Sequence, residues 1–316
     1  MSSSNIDLSV VIPTFNEEDN VLPLYEELTA VLESQGVTYE IIFVDDGSKD
    51  QTFQRIHSVH ERDARVKAVK LRKNFGQSAA MGAGFDHAQG RVVVAMDADM
   101  QNDPRDIPKL LDELAKGYDV VCGWRWNRKD SLHKKVFSKF ANRLRSLLTD
   151  EAVHDSGCSL KAYRRECLED LELYGEMHRY IPALLSWKGY RVGEVKTNHR
   201  PRVKGKTKYN WRRLAKGFLD LILVTFWQKY SARPIHVFGG LGLILGIAGI
   251  ALGVYLSVER LFYHHSLADR LMLLLAVLMV VVGIQFVVSG VMADIMVKVY
   301  FGQKERKHYL VERWLE

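Results

Sequence analysis

Two stretches near the end of the chain set the first constraint on what it becomes. Residues 235–258, IHVFGGLGLILGIAGIALGVYLSV, hold one histidine near their start, one tyrosine and no other ionisable group. Residues 271–293, LMLLLAVLMVVVGIQFVVSGVMA, carry no charge. Each exceeds the ~20 residues a helix needs to cross a hydrocarbon core, and uncharged runs of that length are rare inside soluble domains. The chain is therefore expected to span a membrane twice, at 235–258 and 271–296, with only a short loop, 259–270, on the far side.

Orientation follows from the flanks. Eight Lys and Arg residues lie between Arg200 and Lys216 and five between Lys298 and Arg313, whereas the loop Glu259–Arg270 offsets two arginines with Glu259 and Asp269. The positive-inside rule then places both termini in the cytoplasm, in a multi-pass protein of the cell (inner) membrane. Residues 1–9 are polar and Leu8–Ile12 is too short for a leader's apolar region, so no cleavable signal is expected. Gly242/Gly246 and Gly249/Gly253 form small-xxx-small pairs that permit close helix packing, against the second span or in a homo-oligomer.

Residues 1–198 read differently. Short β-rich runs, LSVVIPTF (8–15), EIIFVDD (40–46), VKAVKL (66–71), RVVVAMD (91–97) and DVVCGW (119–124), alternate with helical stretches at Glu17–Gln35, Gln51–His60, Gln77–Ala88 and Asp106–Lys116. Near-continuous apolar strands between helices predict an α/β domain whose mostly parallel sheet is covered on both faces. Cys122, Cys158 and Cys167 form no CxxC pair and no metal spacing, and read as reduced, structural thiols.

The net charge of +6 points to anionic partners. Basic residues concentrate in two places. SLHKKVFSKFANRLRSLL (131–148) sets Leu132, Val136, Phe140, Leu144 and Leu147 at helical spacing among lysines and arginines, as an interface helix on an anionic bilayer would. Residues 199–234 pass from a basic, glycine-containing loop to Trp211, Phe218, Phe226, Trp227 and Tyr230 immediately before the first span, an arrangement suited to the headgroup level. No fold motif supports nucleic-acid binding.

Acidic residues gather where strands end. Asn16, Glu17 and Glu18 follow the first strand, Asp45, Asp46 and Gly47 the second, and Asp97, Asp99, Gln101 and Asp103 the fourth. Ligands of open α/β sheets bind beyond the carboxyl ends of strands. Asp97 and Asp99 are two apart and share a side of an extended segment, which Gln101 continues if the extension persists. Such oxygen ligands suit Mg²⁺ or Mn²⁺ bridging to a diphosphate. In Asp45-Asp46-Gly47-Ser48, one aspartate reads as part of the turn and the other as a ligand for a base or ribose. GxxxxGK[ST], GxSxG and HExxH are absent, and Gly82-Ala83-Gly84 lies inside a helical stretch rather than opening one.

With these residues in view, the chain resembles the polyprenyl-phosphate glycosyltransferases of glycosyltransferase family 2. SVVIPTFNEEDN, IIFVDDGSKD, LRKNFGQSAAMGAGFDHAQG, MDADMQNDP, YDVVCGWRWNRKD, HDSGCSLKAYRR and RVKGKTKY carry the resemblance, in order and along nearly the whole chain. It implies a GT-A-type nucleotide-sugar-binding domain, followed by basic amphipathic interface helices and two membrane spans. Pro13 and Glu17 would line the nucleotide pocket, with Asp45 and Asp46 on base and ribose and Asp97 beside them. Asp99 and Gln101 would hold the metal against the donor diphosphate. Arg125 would meet phosphate of donor or acceptor, Asp155 would sit near the acceptor, and Lys206 and Lys208 would bind its phosphate. The implied reaction is inverting transfer of a single sugar from a UDP- or GDP-sugar to undecaprenyl or dolichyl phosphate. Two other readings remain beside it: transfer to another lipid such as diacylglycerol, with Asp155 as base, and a catalytically silent membrane adaptor. The chain has Met292–Lys298 where close relatives carry GEYIGR-like residues, and it lacks the QxxRW of processive synthases. The tail, 297–316, is expected to be cytoplasmic.

Overall fold

A computed structural model describes residues 6–126, 153–201 apart from Ser156, Asp170, Glu172, Tyr174 and Glu176, then 234–263, 271–302 and 311–315. Two compact units divide the chain: residues 1–224 with 307–316, and residues 225–306. The amphipathic stretch 131–148 and the basic stretch from 202 to 230, with Lys206 and Lys208, lie outside the described residues.

The first unit is built on β1 (Leu8–Thr14), α1 (Val21–Ser34), β2 (Tyr39–Asp45), α2 (Thr52–His60), β3 (Val66–Leu71), α3 (Gln77–His87), β4 (Val92–Ala95), α4 (Ile107–Ala115), β5 (Val120–Arg125), β6 (Lys161–Arg164), α5 (Ile181–Trp187), β7 (Val192–Thr197) and β8 (Val311–Leu315). The strands form one sheet in the order β7-β5-β6-β4-β1-β2-β3-β8. β1 to β4 run parallel, while β6 is antiparallel to β4 and β5, and β8 antiparallel to β3. This is the mostly parallel sheet that the apolar runs predict.

Alternation along β1 divides the core. Leu8, Val10 and Ile12 pack with Leu24, Leu28 and Leu32 of α1 and Ile107 and Leu110 of α4. Val11 points the other way, to Ala80 and Ala83 of α3 and Ile181 and Leu185 of α5. The 3–4 spacing of Val21, Leu24, Leu28 and Leu32 makes the buried stripe of α1. Each such side chain contributes roughly 1.5–3 kcal/mol relative to exposure.

Three differences from the expected elements have local causes. α1 starts at Val21 rather than Glu17, because the Glu17 and Glu18 amides donate to Thr52 Oγ1 and Asp50 Oδ2 across the neighbouring loop. β6 inserts an antiparallel strand of only four residues between β4 and β5. The tail does not end free of the sheet: Val311–Leu315 pairs with β3, and Trp314 packs 4.4 Å from the His87 ring. All three cysteines are buried and form no disulfide.

The second unit contains α6 (Pro234–Tyr263) and α7 (Leu271–Gly302). At 1.5 Å per residue these 30- and 32-residue helices extend beyond the lengths expected of the spans. Both are long and apolar enough to cross a membrane, and their most apolar windows are only 17% and 11% buried, unlike a core helix. Ile244, Ile247, Leu274 and Val281 stand among their exposed side chains. A Cβ on Gly242 would come within 2.5 Å of Gly283 O, and one on Gly249 within 2.8 Å of Ala276 O. These glycines are used for packing inside the hairpin, and the backbone of Gly246 lies against Gly283, whereas a Cβ added to Gly246 or Gly253 would itself meet open space.

Candidate active site

The order β4-β1-β2 makes the three acidic strand ends neighbours. Thr14 pairs in register with Asp45, and Val11 with Ala95, so the chain leaves all three strands at one rim. Pro13 sits beyond the last β4 partner of β1, where its missing N–H breaks no bond to that strand.

The loops after β1 and β2 interlock. Asn16, held at φ 55°, receives the Lys49 amide on Oδ1 at 2.9 Å and donates its own N–H to Ser48 Oγ at 2.9 Å. Glu17 accepts from Asn20 Nδ2 at 2.7 Å. Gly47 has φ 68°, and a Cβ there would fall 2.5 Å from the Lys73 carbonyl carbon, so the turn requires glycine. The two aspartates have separate surroundings. Asp46 accepts the Phe75 and Gly76 amides at 2.7 and 3.0 Å, one on each oxygen, and so fixes the entry to α3. Asp45 accepts the Ser48 amide on Oδ1 at 3.1 Å, while Oδ2 is buried with no hydrogen-bond partner. Burial pushes the Asp45 carboxyl up, against the pull of its bonds to Ser48.

Asp97 lies at the centre of the rim. Gln77, at the first turn of α3, donates Nε2 to Asp97 Oδ1 at 2.8 Å. Burial, and then the charge of Asp99, push the Asp97 carboxyl up, whereas the Ser159 hydroxyl, Lys161 and Arg125 pull it down. Asn102 Nδ2 donates to that same Ser159 hydroxyl at 2.7 Å. Extension does not persist to Gln101: Met100 adopts φ 60°, and the chain turns after Asp99. The backbone of Gln101 is fixed, donating to Asp99 Oδ1 at 3.2 Å and accepting from the Arg200 amide at 2.9 Å. A left-handed non-glycine residue such as Met100 is a local strain that the surrounding bonds sustain.

The residues at this rim fit a divalent cation. Burial is the larger cause of the rise at Asp97, and the smaller part, repulsion by Asp99, is the kind a cation between or beside two carboxylates relieves. Among the described residues no group of three or more His, Cys, Asp or Glu side chains converges on one point, so protein carboxylates alone do not complete a shell.

Next to Asp97, β5 delivers Arg125 onto Asp155. Arg125 Nε and Nη2 reach Asp155 Oδ2 and Oδ1 at 2.7 and 2.8 Å, and the Arg125 amide adds a 3.3 Å bond. Burial alone lowers the affinity of the Arg125 guanidinium for its proton, but the Asp155 bonds more than offset it and hold the group charged. Glu194 of β7 anchors the other side by accepting the His154 and Asp155 amides at 3.1 and 3.0 Å.

A second clamp holds the acidic loop to the start of the basic stretch. Arg200 bonds Asp103 Oδ1 and Glu27 Oε2, each at 2.7 Å, while Asn198 donates its amide to Asp106 Oδ2 at 2.6 Å. Gln77, Ser159, Lys161 and Arg200 were not singled out by sequence reading. Each meets its partner from 20 or more positions away or from another element, and nothing in local spacing announces such a contact. Lys206 and Lys208 lie outside the described residues.

Comparison with known proteins agrees with this geometry. Residues 9–172 match the profile of glycosyl transferase family 2. Dodecaprenyl-phosphate galacturonate synthase of Rhizobium johnstonii is 39% identical over 314 residues, covering 98% of this chain and 93% of that protein. Undecaprenyl-phosphate 4-deoxy-4-formamido-L-arabinose transferase of an Enterobacter species is 36% identical over 308 residues, covering 97% and 93%. Among solved structures, glucosyl-3-phosphoglycerate synthase from Mycobacterium tuberculosis, in complex with Mn²⁺ and UDP-glucose, shares the fold with a TM-score of 0.54 at 20% identity, over 71% of this chain and 80% of that one. Mannosyl-3-phosphoglycerate synthase from Rubrobacter xylanophilus gives 0.55 at 18% identity, over 71% and 75%. The sheet is thus of the GT-A kind, and the chain belongs to glycosyl transferase family 2.

Proposed function

We propose that this glycosyltransferase moves one sugar from a UDP- or GDP-sugar to a membrane polyprenyl phosphate, at the cytoplasmic face of the cell membrane. The observation that carries the reading is the adjacency of β4, β1 and β2, which sets Asp45, Asp97 and Asp99 at one rim beside the Arg125–Asp155 pair, half-buried at Arg125 and buried at Asp155. The named activities of the Rhizobium and Enterobacter relatives support the acceptor class. The apolar hairpin supports the membrane location, and a hairpin returns the chain to the side it left, in keeping with β8 pairing to β3.

Asp45, with its unpaired buried oxygen, is the group for the base or ribose, while Asp46 shapes the loop that opens α3. Pro13 and Glu17 line the same end. Asp99 would hold Mg²⁺ or Mn²⁺, with Gln101 as the second ligand that the family resemblance implies rather than one that an extended segment supplies; the Mn²⁺ and UDP-glucose bound by the M. tuberculosis neighbour are in keeping with such an ion. When bound, the ion offsets charge on the departing diphosphate. An acceptor phosphate oxygen attacks the anomeric carbon as the bond to the nucleoside diphosphate breaks, with inversion. The phosphate is already an anion at neutral pH, so no general base is needed. Asp155 fits that account: both its oxygens are held by Arg125, which keeps the guanidinium placed toward phosphate and leaves the carboxylate poorly disposed to take a proton. The same bonds weigh against transfer to a lipid hydroxyl with Asp155 as base. Lys206 and Lys208 complete the acceptor phosphate site.

Purified enzyme with polyprenyl phosphate, Mg²⁺ or Mn²⁺ and a panel of labelled UDP- and GDP-sugars tests this. Metal-dependent label in the organic phase from one donor, absent with EDTA, is the expected result. Absence of lipid label from every donor overturns it.

A further inference from the structure

We propose that Trp124, Trp126 and Lys196 form a docking platform that seats the catalytic rim on the headgroup layer of an anionic bilayer. The inference rests on the polyprenyl-phosphate reading, which requires the rim to meet a phosphate held at a membrane surface.

The platform is built by β5 and β7. These strands run parallel, and Trp124 pairs in register with Lys196. At the end of β5 the Trp126 amide donates to the Trp124 carbonyl at 2.8 Å, which folds the chain back and brings the indoles edge to face at 6.3 Å and 85°. Lys196 Nζ then lies 4.3 Å from the Trp126 ring centroid and 5.4 Å from that of Trp124. His154 stacks on Trp124 at 4.6 Å, and its Nδ1 meets Glu194 Oε2 at 2.7 Å. The group is ordered by its own contacts, yet Trp126 remains 64% exposed.

An indole held open to water forfeits the burial that makes it useful, whereas at the headgroup level its ring meets apolar surface and its N–H meets polar groups. A lysine beside it adds attraction to anionic lipid. Position supports that partner. The platform stands at the ends of β5 and β7, next in sequence to Arg125, and both chain segments leaving those strands run into the basic stretches at 131–148 and 202–216. Stacking of a sugar is the competing use of an exposed indole, but Lys196 already lies over both rings and His154 covers Trp124.

The test uses the full-length chain in vesicles of phosphatidylcholine and phosphatidylglycerol carrying a shallow doxyl-labelled lipid. The chain has six tryptophans, so the difference in quenching between wild type and Trp126→Phe isolates this one. A lipid-quenched component that disappears in the variant is expected. In the same vesicles, the apparent KM for long-chain, bilayer-embedded polyprenyl phosphate is expected to rise about tenfold with Trp126→Ala, the equivalent of one partly buried aromatic, and about fivefold with Lys196→Ala, the equivalent of one lysine at an anionic surface, and that for a water-soluble short-chain acceptor to stay unchanged. A merely structural role would impair both acceptors alike. No Trp126-dependent quenching, equal losses on both acceptors, or quenching relieved by nucleotide sugar each overturn the proposal. Quenching needs no turnover, so an enzyme that labels no lipid defeats the functional reading separately.

Discussion

The carboxamide of Gln77 reaches Asp97 Oδ1 at 2.8 Å and so joins the first turn of α3 to the end of β4. Asp46 holds the two residues before Gln77 by their amides, and the two acidic motifs are thereby linked through one helix terminus. A bond to a charged carboxylate is worth roughly 1.5–3 kcal/mol, so Gln77→Ala is expected to lower kcat/KM for the donor about 10- to 100-fold. Gln77→Glu, which sets a second negative charge against Asp97, is expected to cost more. Steady-state kinetics at saturating metal measure both, and wild-type values for Gln77→Ala count against the role.

Asp99→Ala removes the carboxylate assigned to the metal. Activity is expected to fall by at least about 100-fold, the scale of losing a principal electrostatic contact to developing charge. EDTA is expected to abolish wild-type turnover, and added Mg²⁺ or Mn²⁺ to restore it. Turnover that survives exhaustive chelation excludes the metal site.

Asp45 gives a pH prediction. Its folded-state carboxyl is raised by burial, so the protein binds that proton more tightly folded than unfolded. Its stability contribution is fully present below the unfolded value, near 3.8, and is lost as pH rises through the folded value. At neutral pH the ionised group is a cost, and Asp45→Asn is expected to raise Tm by about 2–4 °C, the shift of about 1 kcal/mol in a domain of this size. The gain should vanish on acidification below the unfolded value, while nucleotide affinity falls. Thermal scans across pH, with and without UDP or GDP, check the pair of effects; an equal Tm at neutral pH disproves the sign.

Asp155→Ala leaves Arg125, whose side chain is 15% exposed, without its partner. Loss of one member of a buried pair costs about 3–5 kcal/mol. Asp155→Asn retains volume but only part of the bidentate contact, and its kcat is expected to drop by a factor that does not change with pH, since Asp155 positions Arg125 and takes no proton. A loss greatest at high pH, with the acid limb of the wild-type profile abolished, would instead mark Asp155 as the base. Arg125→Lys, which lacks the planar fork, is not expected to rescue function.

Trp314 tests the returning strand. The ring packs on His87 and lies 5.9 Å from Lys67 Nζ, and β8 covers the edge of β3. Trp314→Ala is expected to cost about 2 kcal/mol, below the range for a fully buried aromatic. Removal of Leu310–Glu316 is expected to expose the β3 edge and promote aggregation, read by light scattering. A stable, monodisperse truncated protein would show that β8 is dispensable.

Sequence by itself determined the two apolar helices, because a charge-free run longer than 20 residues has few other stable settings. It also determined the parallel strands β1 to β4, whose apolar runs admit burial on both faces, and the placement of Asp45, Asp97 and Asp99 at strand ends, since turn-forming polar residues follow each run. β6, at four residues, and β8, with Glu312 and Arg313 inside it, carry too little periodicity to be read from the chain. Only the tertiary structure decided strand order, and with it that the three acidic ends are neighbours. It also decided how similar side chains divide their work: Asp46 is held by amides while Asp45 keeps an unpaired oxygen, and Asp155 is tied to Arg125. Gln77 and Arg200 gained their partners the same way. The physical reason is common to all of these. Local pattern reports what a residue does to its own segment, whereas hydrogen bonds and burial at the rim depend on which distant segments the sheet sets side by side.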